Sequence, residues 1–445
     1  MKPIILLIST NFILYLISIN YSLNRDFFNI DYVICLFLLH FKFRKTAVVL
    51  FAIFFISDLL LIFRQIFPFF RLDDIFYIIK FVFISSFAYK IIFLMVVSYI
   101  YFVSYFLLKK CKKNHLYLYF FIFTSLLFLV QNISIVIQPN SKIWMSSKFV
   151  KFVELQYDGF SQNLRMKQEP MQKLPYSQAS KKFFEKNDSQ NKLEKPHVFF
   201  IINESLGVPK NQAVLDQILS PLYDDELLIH DLKINQTSYV GPTVYAELRE
   251  LCHAQPFNFN LKNLESGFDK CLPHLFQERG YETIALHGAL GTMYDRKYWY
   301  PRAGFQKTIF FENEKWKSQC YSFPGACDWE IAHLISSIFS KANKPQFIYW
   351  LTLNSHSLYD KRDIFYNVFD CKAFEIEEST ESCRNIKLQA QFFYVLAEML
   401  KSSEIKNAEV VIVGDHAPII LNKSEKEKYF IEDNILLISF EVNKT

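Results

Sequence analysis

The sequence has no long basic tract outside the runs that flank its apolar segments, and its net charge of +5 over 445 residues is mild. Nothing in it reads as a nucleic-acid footprint. Its eight cysteines contain no CxxC pair, which argues against a zinc ribbon. No small-residue cleavage site follows the first apolar stretch, and further apolar stretches lie behind it, so a cleaved signal peptide is not expected. What the chain has instead is a split. It is 51% hydrophobic overall, yet residues 1–138 are dominated by Phe, Ile and Leu, whereas from about 140 onward the composition is that of a soluble protein. The 48 phenylalanines belong partly to that split and partly to a compositional bias, and carry no functional reading. The length allows two or three domains.

Five apolar stretches in the first part are long enough to be read as membrane spans: 3–20, a shorter 27–41, 46–64, 88–108 and 116–138. The aromatic stretch 65–87 contains Arg71, Asp73, Asp74 and Lys80 and reads as an interfacial or re-entrant helix. Lys42, Arg44 and Lys45 follow the second stretch, and Lys109, Lys110, Lys112 and Lys113 follow the fourth. Five spans with a cytoplasmic N-terminus put both basic clusters inside and everything after about 139 outside. A sixth span over 65–87 would separate the clusters. Cysteine usage agrees: Cys252, Cys271, Cys320, Cys327, Cys371 and Cys383 give the external part an even number, suited to three disulfides. Pairing of sequence neighbours gives 252–271, 320–327 and 371–383, with free thiols or a zinc cluster as the alternative.

Three regions follow: a transmembrane part over 1–138, a polar connector over 139–195 with short helices along the membrane, and a folded domain over 196–445. The last opens on HVFFIIN (197–203) and continues with ETIALH (282–287), QFIYWLTL (346–353), EVVIVG (409–414) and NILLISFEV (434–442). These are apolar runs typical of buried strands. Amphipathic segments at 328–340 and 386–401 separate them, which predicts an α/β domain with a mostly parallel sheet and a site at the carboxyl ends of its strands.

Those ends carry Glu204 and Ser205, His287, His356, and Asp415 with His416. A core histidine or a capping carboxylate is common singly, but five such residues at one sheet edge point to a site. Glu204, Asp415 and His416 make a ligand set for one divalent metal, zinc or manganese, with a position left for a nucleophile. The candidate nucleophile lies in SYVGPTVYAELRELC (238–252). Gly241 and Pro242 break the chain, and a helix with Val244, Leu248 and Leu251 on its buried face starts at Thr243. That position sets the threonine hydroxyl at the positive end of a helix, where a metal would favour its ionisation. Thr243 as a plain N-cap is the alternative, and Thr237 and Ser238 are rival nucleophiles.

The strand ending in Glu204, the GPTVYAELREL segment, the NSH around His356 and the GDH at 414–416 together resemble the alkaline phosphatase and sulfatase superfamily. The resemblance is closest to its membrane-anchored branch, the lipoteichoic acid synthases and the phosphoethanolamine transferases of lipid A. It implies Glu204, Thr243, Asp415 and His416 as metal ligands, with Thr243 also the covalent nucleophile, and His356 as substrate-binding. HGALGTMYDR (287–296) is similar to a segment that binds glycerophosphate in lipoteichoic acid synthase, which implies headgroup contacts for His287, Tyr294 and Arg296; the tyrosine stands where that enzyme has tryptophan.

The activity the resemblance implies is transfer of phosphoethanolamine or phosphoglycerol from phosphatidylethanolamine or phosphatidylglycerol. The acceptor would be an envelope glycan or lipopolysaccharide, reached through phosphothreonine outside a bacterial inner membrane. A metal-dependent phosphodiesterase or a non-catalytic envelope-assembly protein is the alternative. No CxPxR motif is present, which argues against formylglycine-based sulfate-ester hydrolysis. No histidine follows His416, so a site that some relatives supply from the C-terminal end is not expected, and the chain's end soon after 442 predicts a shorter domain.

Overall fold

The computed structural model describes residues 2–20, 23–66, 82–83, 87–109, 114–138, 143–166, 170–175, 177–185, 195–257, 260–401, 405 and 407–443. They fall into two compact units divided near residue 162.

The first unit is helical. Among the described residues, four of its helices are long and apolar enough to cross a membrane by length and composition: Lys2–Ile19, Arg44–Gln65, Tyr89–Lys109 and His115–Ile137. The second expected span is the exception. Over 27–41 the chain forms a two-residue strand, β1 (Phe28–Asn29), and a ten-residue helix, Asp31–His40. At about 1.5 Å per residue that helix covers about 15 Å, half of a bilayer's apolar thickness. Among the described residues, the five expected spans therefore correspond to four long helices and one short one. The polar residues Asp26, Asn29 and Asp31 explain the late start, because each is committed to a partner. Asp26 pairs with Lys148 at 2.6 Å, Asn29 bonds Asp58, and Asp31 accepts from Ser147 and Phe149.

β1 pairs in parallel with β2 (Met145–Ser146), and a 19-residue amphipathic helix, Lys148–Met166, follows. At the other end of the Asp31–His40 helix, His40 Nδ1 lies 3.2 Å from the carbonyl of Asn114, and Arg44 donates to the carbonyl of Leu108. Arg44 of the first basic cluster is thus brought beside the start of the second. Lys110, Lys112 and Lys113, and most of the 65–87 stretch expected to be interfacial or re-entrant, lie outside the described residues.

The second unit holds an eight-stranded sheet. Its strands are β4 (His197–Asn203), β5 (Gly207–Pro209), β6 (Ile229–Ser238), β8 (Glu282–His287), β9 (Lys307–Ile309), β10 (Gln346–Leu351), β11 (Asn407–Gly414) and β12 (Phe430–Asn443). The order is β5-β12-β11-β4-β10-β8-β9, with β6 also paired to β12. A small ribbon of β3 (Met171–Lys173) and β7 (Ala254–Pro256) stands apart.

The expectation of a mostly parallel sheet is corrected to a mixed one. β11, β4, β10, β8 and β9 run parallel, but β12 is antiparallel to β11, and β5 and β6 are antiparallel to β12. The chain after β11 offers only the helix Lys423–Tyr429. Its seven residues span about 10 Å, against about 26 Å for the eight residues of β11, so the fifteen residues between β11 and β12 hold no helix long enough to pack along the sheet as a crossover, and the chain returns antiparallel.

Both faces of the parallel part are covered, which is why β4 and β10 read as unbroken apolar runs. One face (Phe199, Ile201, Ile348, Trp350, Ile412) packs in the core that includes the helices Asp328–Ser340 and Glu381–Lys401. The other face presents Phe200 to Phe183 and Phe347 to Phe276, the latter pair stacked at 4.3 Å. Phe183 belongs to the short helix Lys181–Glu185. The register sets Gly414 against Asn203 and His287 against Leu351, so the next residues of β4 and β11 emerge side by side.

Candidate metal centre

Glu204 and Asp415 directly follow those two adjacent parallel strands. Gly414 permits the close pass: a Cβ there would lie 2.4 Å from the carbonyl oxygen of Leu206. Asp415 Oδ1 then accepts from the backbone N–H of Ser205 (2.8 Å) and of His416 (2.7 Å). His416 is oriented by its Nδ1, 2.9 Å from the carbonyl of Ala417, which turns Nε2 toward the carboxylates. Nε2 lies 3.3 Å from both Glu204 Oε1 and Asp415 Oδ2. The backbone of Glu204 is held by Thr352 and Ser355 after β10 and by Gln389 of the helix Glu381–Lys401.

Thr243 is the first residue of the helix Thr243–Cys252, and Pro242 takes the N-cap position without a side-chain capping bond. The plain N-cap reading of Thr243 is therefore overturned: its hydroxyl donates to Glu204 Oε2 at 3.3 Å. Gly241, at φ 75°, makes the turn that aims it, and a Cβ there would meet the ring of Tyr245 at 2.4 Å. Thr237 and Ser238 sit in β6, paired with Ile435 and Asn434.

These residues fit a divalent cation. Ligand atoms of Glu204, Asp415 and His416 lie within 4.8 Å of one another, and all three residues are buried. Asp415 Oδ2 is buried without a hydrogen bond and, with no metal bound, is answered by the His416 imidazole 3.3 Å away. Two carboxylates against one imidazole leave an excess of negative charge. The protonation pattern reflects this. Burial disfavours a charged imidazole, but Asp415 and Glu204 outweigh it, and His416 is pushed up to about 10. Burial would raise Glu204, but the charges of His356 and His416 outweigh it and hold its carboxyl well below the usual range. Asp415 is raised by burial and by Glu204 beside it. A second group, Cys371, Glu378 and Cys383, has comparable spacing, but its two sulfurs are joined to each other.

His287, at the end of β8, and Arg296 form a neighbouring cluster. His287 Nδ1 donates to the carbonyl of Leu351 (3.0 Å), and its Nε2 accepts from Arg296 Nη1 (3.2 Å). Burial and the Arg296 charge hold His287 well below its ordinary pKa, so the ring is neutral. The Arg296 guanidinium lies over the Tyr294 ring, 5.1 Å from its centroid. His356 is half-buried against Phe323, with ring centroids 4.8 Å apart, and its charge bears on Glu204.

Sequence reasoning missed Glu247. It is fully buried, forms a two-pronged pair with Arg296 (Nη2 to Oε2, 2.7 Å) and accepts from Tyr300 and Tyr349. The signal was present: Glu247 falls between Val244 and Leu248 on the apolar stripe of its helix. Asp328 was missed too. Its carboxylate accepts from the N–H groups of Leu353 and Asn354, while Asn354 Oδ1 accepts from Asp328 N–H. This clamp fixes the loop that carries His356.

Three disulfides brace the unit, Cys252–Cys271, Cys320–Cys327 and Cys371–Cys383. The first two end at the N-caps of the helices Leu272–Glu278 and Asp328–Ser340.

The model of the family described as Sulfatase matches residues 196–435. No curated protein matches the sequence. Among solved structures, the chain is similar to a lipoteichoic acid synthase, LtaP, from Listeria monocytogenes. The identity is 17% and the TM-score 0.41, over 56% of this chain and 66% of that one, just under two thirds of its length. It is similar to the Streptococcus pyogenes phosphoglycerol transferase GacH in complex with sn-glycerol-1-phosphate at 17% identity and TM-score 0.39, over 63% and 75% of the two chains. It is also similar to the lipooligosaccharide phosphoethanolamine transferase EptA of Neisseria meningitidis at 13% identity and TM-score 0.40, over 79% and 63%.

Proposed function

This chain belongs to the sulfatase family, and from that premise we propose that it transfers the phosphate-bearing headgroup of a phospholipid to an envelope acceptor, with Thr243 as nucleophile. The observation that carries the reading is one juxtaposition. The Thr243 hydroxyl, at the first position of a helix, lies 3.3 Å from Glu204 Oε2, beside a buried set of donors that includes an Asp415 oxygen without a hydrogen bond. A threonine rather than a cysteine at this place suits phosphoryl rather than formylglycine-based sulfuryl chemistry.

Glu204, Asp415, His416 and Thr243 Oγ1 would hold one zinc or manganese ion, which supplies Lewis acidity and lowers the pKa of the hydroxyl. Glu204 Oε2 orients the threonine hydroxyl along the existing hydrogen bond, and the proton the hydroxyl loses is the one the leaving oxygen takes up. Oγ1 attacks phosphorus, the bond to the diacylglycerol oxygen breaks, and that oxygen leaves with a proton. An acceptor hydroxyl then displaces Thr243 in the reverse sense, which restores the free enzyme. His356, half-buried beside the carboxylates, and the His287–Arg296–Tyr294 cluster are the groups that contact the headgroup and its phosphate. In this reading the donor is phosphatidylethanolamine or phosphatidylglycerol, the acceptor a glycan or lipopolysaccharide, and the second unit faces the periplasm of an inner membrane that the first unit crosses with its N-terminus inside.

The test is intact-mass spectrometry of the full chain in detergent, loaded with zinc or manganese and incubated with each lipid in turn. A gain of one phosphoglycerol or phosphoethanolamine mapped to Thr243, and absent from Thr243→Ala, is expected and names the donor. Undiminished transfer by Thr243→Ala would overturn the assignment.

A further inference from the structure

The first unit contains a cavity of about 350 Å³, remote in sequence from every residue of the metal centre. It lies between the Asn24–Arg25 segment, the last turns of the helix Arg44–Ile66 and the first turns of the helix Lys148–Met166. The volume falls in the range of small-ligand sites, roughly 300–1,000 Å³. Asn24 and Gln65 close one wall with two reciprocal hydrogen bonds, 2.7 and 2.9 Å.

The charges around this cavity do not cancel. Four cations and one carboxylate line it. Arg25 is spent on Asp58, with Nη2–Oδ2 at 2.7 Å and Nε–Oδ1 at 3.1 Å. Lys148 is spent on Asp26 at 2.6 Å. Arg64 and Lys151 have no ion-pair partner among the described residues; Asp158, whose charge also bears on Arg64, makes no ion pair with it. Two cations outside any ion pair among the described residues therefore face one cavity from two helices, with Asp158 and Asp26 the carboxylates whose charges bear on Arg64 and Lys151. Its remaining lining includes Leu61, Ile62 and Leu155, so the site joins a cationic side to an apolar one.

We propose that this cavity binds a phosphate ester of the kind carried by an anionic phospholipid, with Arg64 and Lys151 on the phosphate oxygens and the three aliphatic side chains against the adjoining glyceride. A guanidinium and an ammonium can together answer a phosphate that neither binds tightly alone, and basic pockets between membrane helices take lipid headgroups by this chemistry. The buried Arg25–Asp58 pair, which also accepts from Asn29 and Tyr32, keeps the cavity's wall rigid without adding to its free charge. The site belongs wholly to the first unit and does not rest on the transfer reading.

The experiment is native mass spectrometry of the full chain in detergent, titrated with short-chain phosphatidylglycerol and, separately, with inorganic phosphate. One lipid beyond any held at the metal centre is expected, weakened about tenfold in Arg64→Gln/Lys151→Gln and retained in Arg64→Lys/Lys151→Arg. Lys151→Gln alone, at an exposed position outside any ion pair, is expected to weaken binding without disturbing the fold. Glu204→Gln, which disables the metal centre, is expected to leave it unchanged, so failure of this site and failure of the transfer reading give different results. Binding of lipid alone assigns the site to a headgroup; binding of both assigns it to phosphate as such, and either sustains the proposal. Equal affinity in Arg64→Gln/Lys151→Gln, or no binding of either probe, overturns it.

Discussion

Arg296 and Glu247 form a fully buried ion pair, 2.7 Å between Nη2 and Oε2, with 2% and 0% of their side chains exposed. The pair joins the helix that starts at Thr243 to the helix that starts at Arg296, and through Nη1 it reaches His287. Removing one member of such a pair leaves the other charge buried and unanswered, at a cost of about 3–5 kcal/mol. Both Glu247→Ala and Glu247→Gln should therefore lower the melting temperature, Glu247→Gln by less because it keeps an acceptor for the two tyrosines and for Arg296. Thermal melts of both variants check this, and equal melting temperatures would rule it out.

At the metal centre, activity and stability should pull apart. Asp415 and Glu204 are like charges brought together in a buried site, and Asp415 Oδ2 has no hydrogen bond. Asp415→Asn keeps Oδ1 for the N–H groups of Ser205 and His416 but removes a charge. The metal-free variant should melt no lower than the metal-free parent. It should also lose the rise in melting temperature that zinc or manganese gives the parent, a rise set by the logarithm of metal concentration over Kd. An undiminished metal-dependent shift in Asp415→Asn would remove Asp415 from the ligand set.

Metal uptake should release a proton. Without a metal, His416 is pushed up to about 10 by Asp415 and Glu204, against the opposing effect of burial. Its folded value lies above the unfolded one, so this proton stabilises the metal-free fold fully below about pH 6.5, and that contribution is lost as the pH rises toward 10. The same proton must leave before Nε2 can ligate. Affinity should therefore climb about tenfold per pH unit across the neutral range. Calorimetry of metal binding in buffers of different ionisation enthalpy would count the protons, and a count of zero would contradict the ligand role of His416.

Four strand ends were legible because burial on both faces forces an unbroken apolar run, and a charged residue ending such a run stands out. HVFFIIN coincides with β4, and ETIALH with β8. Three features were hidden for physical reasons. β6 (IHDLKINQTS) is largely exposed and shows no apolar run. The direction of β12 depends on the length of the connection before it rather than on its own residues. The ten-residue helix Asp31–His40 reads as a span by hydropathy, and only its polar anchors Asp26, Asn29 and Asp31 mark where the chain is tied down. Glu247 and Asp328 were visible as polar residues at buried helix positions, but their partners, Arg296 and the 353–354 backbone, are supplied by tertiary contact.

Asp328 offers a test of how the His356 loop is held. Burial pushes its carboxyl up to about 7, against the opposing N–H groups of Asn354 and Leu353. Its folded pKa lies above the unfolded value of 3.8, so the folded state holds its proton over a window where the unfolded chain has released it. Stability should then fall as the pH rises from about 4 to about 7 and level off beyond. The contribution is at most about 4 kcal/mol for a shift of about three units. Asp328→Asn should remove this slope while keeping an acceptor for the loop N–H groups. Because it retains only one such oxygen, His356 is also expected to be held less firmly, and transfer should slow with the metal-induced melting shift intact. Melting curves of parent and variant at closely spaced pH values test the first part. Parallel curves across pH 4–7 would show that Asp328 stays ionised in the fold, held by its backbone donors alone.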